Sequence, residues 1–180
     1  MLNGAAGFVA WAGVSLVVLA DGRRGLALGV AVAATGLAVF AWQAAGPPAA
    51  AAILGGGLIA AAGRLRSGAP GWEIMPAGST PRIVLCVATA LVSLWLAVVI
   101  TTGPGGALRF SAFVSLILTP ARILWSDVQA VDLTAAVLLA LAVGVASASG
   151  SSSPDTWAFV AAGAVAAALA WLPARWLHAA

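Results

Sequence analysis

Seven long apolar runs, joined by connections rich in Gly, Pro and Ser, dominate the sequence. They cover about 4–20, 25–45, 48–63, 83–102, 107–125, 133–149 and 156–173. Each approaches the ~20 residues that a helix needs to cross a hydrocarbon layer ~30 Å thick. In lipid the backbone must satisfy its own polar groups, so only helices and closed barrels span. A barrel shows segments of about ten residues alternating in polarity, and these runs do not alternate. The sequence therefore predicts an all-α, polytopic transmembrane helix bundle of seven spans. Residues 1–180 read as a single transmembrane domain with no soluble domain.

Charge supports that reading. Only 7% of the 180 residues are charged and 63% are hydrophobic; mean hydropathy is +1.10. A soluble domain carries roughly 25% charged residues. All eight basic side chains are Arg, and Ala and Gly abound; this pattern suggests the codon bias of a GC-rich bacterial genome. No basic cluster exceeds two adjacent residues, so no nucleic-acid partner is expected. Cys86 is the lone cysteine and His178 the lone histidine, so no disulfide, metal site or haem is expected. The first run lacks a basic residue ahead of it and reads as a retained span, not a signal peptide.

Arginines on short loops mark the cytoplasmic side. With seven spans, Arg23, Arg24, Arg64, Arg66, Arg82, Arg122 and Arg175 share one side, and Arg109 alone falls on the other. The expected location is the bacterial plasma membrane, N-terminus outside and C-terminus cytoplasmic. If 107–125 is instead re-entrant, six spans remain and the bias weakens to five arginines against three. Seven spans also place Trp42 and Trp157 at the outer interface and Trp125, Trp171 and Trp176 at the inner one, as aromatic belts prefer. Trp11 and Trp95 fall nearer mid-membrane and read as packing residues.

The stretch LRFSAFVSLILTPARILWSD, 108–127, holds the densest polarity of any run. Arg109 and Arg122 enclose twelve residues, about 18 Å of helix, so both must reach along the helix toward the headgroups. Ser111, Ser115, Thr119 and Arg122 fall on one stripe at helical spacing. Pro120 leaves the Leu116 carbonyl without its helical donor. Two readings stay open for the stripe. It lines a pathway for a polar or anionic solute, with Arg109, Asp127 and Arg122 as charged candidates. Alternatively the hydroxyls bond back to carbonyls four residues earlier and the arginines anchor the interface. Asp127 and Asp132, near Arg122, read either as a small ion-pair cluster or proton relay or as solvated loop charges, with Asp132 suited to cap the helix that follows. Glu73, in the long connection 67–82, is expected to be solvated or paired with Arg66 or Arg82; that connection alone is long enough to fold over the bundle.

Small residues recur every four positions: Gly25 and Gly29; Gly56; Ala136, Ala140, Gly144 and Ala148; Ala158, Ala162 and Ala166. Such ridges let helix backbones approach closely in lipid, and a tight hairpin of the last two helices is expected. No span carries a mid-membrane carboxylate, and no catalytic set or cofactor signature is visible. The expected function is a small non-catalytic integral membrane subunit of a larger complex or homo-oligomer, with lipid and other membrane subunits as partners and no cofactor. The alternative is a small transporter or channel component with the fifth segment lining the path.

Overall fold

The computed structural model describes residues 1–67, 70–76, 78–99, 105–124, 126, 128–147 and 155–172. It is all-helical. Its elements are α1 (Leu2–Leu19), α2 (Arg23–Arg66), α3 (Thr80–Val99), α4 (Gly106–Leu124), α5 (Gln129–Ser147) and α6 (Thr156–Trp171). Among the described residues there is no strand, only an isolated bridge between Ala20 and Ile74. Five helices, α1 to α5, are long and apolar enough to cross a membrane.

The second and third apolar runs fall in one element, α2, and the sequence explains the break inside it. Ala45 (φ −138°, ψ 16°) and Gly46 (φ 79°, ψ −168°) leave the helical region. Gly46 takes a left-handed φ that glycine adopts without steric cost. Pro47 and Pro48 then open the second half, where a missing N–H costs nothing. The two halves double back on each other. A Cβ added at Gly57 would collide with the Cβ of Ala34, although 23 residues of straight helix would hold those positions about 35 Å apart.

Close backbone approaches set the remaining directions. Gly13 meets Ala33, Gly29 meets Val17 and Gly36 meets Ala10, so α1 runs antiparallel to the first half of α2. Gly56 meets Gly163, and seven residues on in both, Gly63 meets Ala170; the second half of α2 and α6 are parallel. Gly7 contacts Ala107 and Ser111 while Asp21 contacts Arg122, so α4 runs parallel to α1 over its whole length. The helix passes through Pro120 to Leu124. Gly144 packs on Ala162, joining α5 to α6.

These contacts gather one end of every helix. Arg23, Arg24, Arg64, Arg66, Arg82 and Arg122 lie there, and Arg109 lies at the other end. The core between is built of Val14, Val17, Leu26, Leu37, Phe40, Ile53, Leu118, Leu138, Leu141 and Phe159, all buried. α3 is the least embedded helix: only Cys86, Thr89, Ser93 and Ala97 are buried. Trp95, expected from the sequence as a packing residue, is on the outside of α3 at 59% exposure. Trp11 does pack inward, its indole N–H donating to the Cys86 carbonyl at 3.4 Å.

Candidate functional site

The polar site at the arginine-rich end starts from a turn. α1 ends at Leu19, Ala20 is extended, and Asp21 and Gly22 lead into α2. The 70–76 loop lies across this turn. The Asp21 N–H donates to the Glu73 carbonyl (3.1 Å), the Met75 N–H to Leu19 (3.1 Å) and the Arg24 N–H to Gly71 (3.1 Å). Glu73 and Met75 hold positive φ values of 34° and 55°, a conformation that costs non-glycine residues energy unless the surroundings impose it. The three backbone hydrogen bonds supply that constraint. The loop therefore folds over one end of the bundle; Glu73 contributes its backbone carbonyl, and the residue itself is exposed.

With its backbone fixed, Asp21 becomes the hub of an ion cluster. Arg82, in the first turn of α3, places Nη1 3.1 Å from Oδ1 and 3.0 Å from Oδ2. Arg122, in the last turn of α4, donates through Nη2 to Asp21 Oδ1. One carboxylate thus joins α1, α3 and α4. Arg122 is only 3% exposed, whereas Asp21 and Arg82 are about one-quarter exposed. The C-terminal end of α4 favours a cation, and Asp132 on α5 adds a second attractive charge to Arg122. α5 begins at Gln129, so Asp132 sits inside its first turn, not at the cap position expected for it.

The stripe on α4 faces inward: Ser111, Ser115 and Thr119 are all buried. Ser111 Oγ donates to the Ala107 carbonyl (2.7 Å) and Thr119 Oγ1 to the Ser115 carbonyl (2.6 Å). Those are the bonds to carbonyls four residues earlier that the simpler reading of the stripe required. Ser115 Oγ has no partner among the described residues, and neither does Ser93 Oγ on α3; Ser15 Oγ on α1 lies against the Cys86 thiol. Arg109 is half-buried near the start of α4, at the opposite end from Arg122. Asp127 lies outside the described residues, as do Ala148, Trp125, Arg175, Trp176 and His178.

A second buried arginine went unnoticed in the sequence. Arg64 is 2% exposed and donates through Nη2 to the carbonyls of Ala170 (2.9 Å) and Leu169 (3.4 Å). Both carbonyls lie in the last turn of α6, beyond the regular helical donors, and the Leu169 carbonyl also accepts the Leu172 N–H (3.4 Å). Arg66, two residues on, instead lies over the Trp171 ring at 5.1 Å.

The small residues have distinct neighbours. Gly29 packs on α1 and Gly56 on α6, but Gly25 is wedged between Ala20, just past the end of α1, and the Trp72 carbonyl of the loop (2.6 and 2.7 Å from an added Cβ). Gly144 and Ala162 touch across the α5–α6 seam. Ala136, Ala140 and Ala158 line an outward hollow along that seam, and Ala166 is fully buried. The signal for Asp21 was present but faint: it is the only carboxylate in the first connection, on the same side as Arg82 and Arg122.

The molecule is thus an all-helical protein whose long apolar helices suit a membrane, closed at one end by a three-residue ion cluster. Comparison with known families, characterised proteins and solved structures finds no match to this chain.

Proposed function

We propose that the protein is a non-catalytic integral membrane subunit of a larger assembly. Its seven helical rods, counting α2 as two, each cross the bilayer, with the N-terminus outside and the arginine-rich end in the cytoplasm. One observation carries the reading: the Asp21 cluster and two of the three hydroxyls on the α4 stripe are engaged within the bundle. Ser111 and Thr119 bond back to their own helix, and Asp21 holds both Arg82 and Arg122. What remains for function is the outer surface, and α3 offers the largest unburied face, with Val84, Leu91, Trp95 and Val98 each about 60% exposed. In lipid, association rests on packing and not on a hydrophobic drive, so such a face is available to a partner helix.

The test is the mass of protein extracted in a mild detergent, compared with 17.6 kDa for one chain. A discrete larger assembly is expected, and Leu91→Ala/Trp95→Ala should shift it to the monomer. A lone monomer from the unsubstituted protein refutes the reading. Reporters fused to the two termini should become active on opposite sides of the membrane; activity on one side refutes the odd span count.

The alternative, a small transporter or channel component, has one observation of its own. Ser93 and Ser115, on the packed helices α3 and α4, keep buried hydroxyls without partners among the described residues. Solute flux in proteoliposomes that Ser115→Leu abolishes would support that alternative.

A further inference from the structure

The outer side of the α2 hairpin carries a groove with an unusual regularity. At the arginine-rich end it is a hollow of about 510 Å³, with Arg24 and Trp72 at its mouth. The first half of α2 supplies Ala27, Leu28 and Ala31, and the second half supplies Leu58, Ala61, Ala62 and Leu65. Counting Arg24, each half contributes positions spaced i, i+3, i+4 and i+7, one face of a helix. Ala27 and Ala61, both buried, form the floor, with Ala31 half-buried and Ala62 exposed along it. Leu28, Leu58 and Leu65, 42–51% exposed, form the walls.

The mouth is polar and basic. Arg24 is exposed, and its guanidinium makes neither of the two ion pairs found among the described residues. Its backbone N–H is tied to Gly71, so its position does not depend on its side chain. The surrounding end carries Arg23, Arg24, Arg64, Arg66, Arg82 and Arg122 against Asp21, Glu73 and Asp132. Trp72, half-exposed beside Arg24, is the residue type that settles at headgroup depth. A second hollow, about 660 Å³, lies further along the hairpin between Thr35, Trp42, Pro47 and Leu54, and no cation lines it.

We infer that the Arg24 hollow is a binding site for one anionic phospholipid: an acyl chain lies on the alanine floor and the phosphate sits against Arg24 beside Trp72. Basic pockets between helices on the cytoplasmic side recognise anionic headgroups in this way. The occupant is set by the mouth of the groove: an exposed guanidinium beside a half-exposed indole complements a phosphate at headgroup depth, with apolar surface below it for the chain. The inference requires the chain to lie in a bilayer but is independent of whether it is an assembly subunit.

The experiment is native mass spectrometry of the detergent-purified protein, titrated separately with phosphatidylglycerol and phosphatidylcholine. The expected result is about fivefold tighter retention of the anionic lipid, the contribution of a single surface arginine. Arg24→Gln should reduce that preference to near unity, Arg23→Gln, outside the hollow, should leave it intact, and Ala62→Phe should reduce retention of both lipids by filling the groove. Equal retention of the two lipids by the unsubstituted protein overturns the proposal. So does unchanged selectivity in Arg24→Gln, and so does a photo-cross-linker at position 58 that captures polypeptide in native membranes instead of lipid.

Discussion

Asp21→Ala removes the single carboxylate shared by two guanidinium groups, and the geometry allows its cost to be apportioned. Arg122 is 3% exposed, so without Asp21 its strongest partner is gone and water does not replace it. Breaking a buried pair by deleting one partner costs about 3–5 kcal/mol. Asp21 is itself 25% exposed, which puts the loss near the lower limit, about 3 kcal/mol. The Arg82 arm is exposed on both sides, and its loss adds less than about 1 kcal/mol. A loss of about 3 kcal/mol lowers the folded-to-unfolded ratio roughly a hundredfold, since each 1.4 kcal/mol is tenfold. If the penalty is an uncompensated charge, deleting that charge must restore stability. Arg122→Leu, which substitutes apolar volume, should cost only about 1 kcal/mol or less. The double variant Asp21→Ala/Arg122→Leu should then be about 2 kcal/mol more stable than Asp21→Ala alone, a coupling of the size expected for residues in direct contact. Equilibrium unfolding in mixed micelles, followed by far-UV circular dichroism, measures all four proteins. A double variant no more stable than Asp21→Ala refutes the orphaned-charge argument.

Two further outcomes follow from contacts elsewhere. Gly56→Ala should destabilise by about 1–3 kcal/mol through overpacking, because its Cβ would lie 2.6 Å from the Gly163 Cα; Gly55→Ala, with nothing within 4 Å, should be neutral or stabilising by up to about 1 kcal/mol, and thermal unfolding separates them. Arg64→Met should cost about 1.5–3 kcal/mol, the range for a hydrogen bond to a charged group, and should raise deuterium uptake at the end of α6 more than elsewhere; uniform uptake along the chain would count against a local capping role.

The helices were legible because lipid imposes a coarse rule on sequence. A run of apolar residues of bilayer length has few alternatives, and Gly46-Pro47-Pro48 announced the reversal inside α2. Helix ends were less legible: α5 begins at Gln129, four residues before the apolar run at 133, because polar residues at a helix start still take helical dihedrals. The ion cluster was not legible from local pattern. Asp21 lies 61 residues from Arg82 and 101 from Arg122, and its place depends on how the loop and three helix ends converge. Arg64 reads in the sequence as one of the loop arginines that mark a side, since residue type alone does not distinguish a guanidinium in solvent from one buried against the end of α6. Gly25 looked like part of a helix-packing ridge, yet its close neighbours are Ala20 and the loop that starts more than forty residues later.

The same physics gives α3 its particular dependence on Asp21. A helix surrounded by lipid gains no hydrophobic stabilisation from moving its apolar side chains onto a neighbour; small side chains, dispersion and polar bonds must hold it. α3 buries only a narrow line, Cys86, Thr89, Ser93 and Ala97, and Ser93 Oγ finds no partner there among the described residues. Its side-chain ion pair to α1 is made by Arg82, at one end. Weakening that pair should therefore loosen α3 before the tighter contacts of α1 with α2, where Gly13, Gly29 and Gly36 bring backbones together. A helix held in this way, by one charged clasp and a line of small residues, should show the largest rise in deuterium uptake in Asp21→Ala; equal rises in α1 and α2 would refute the clasp.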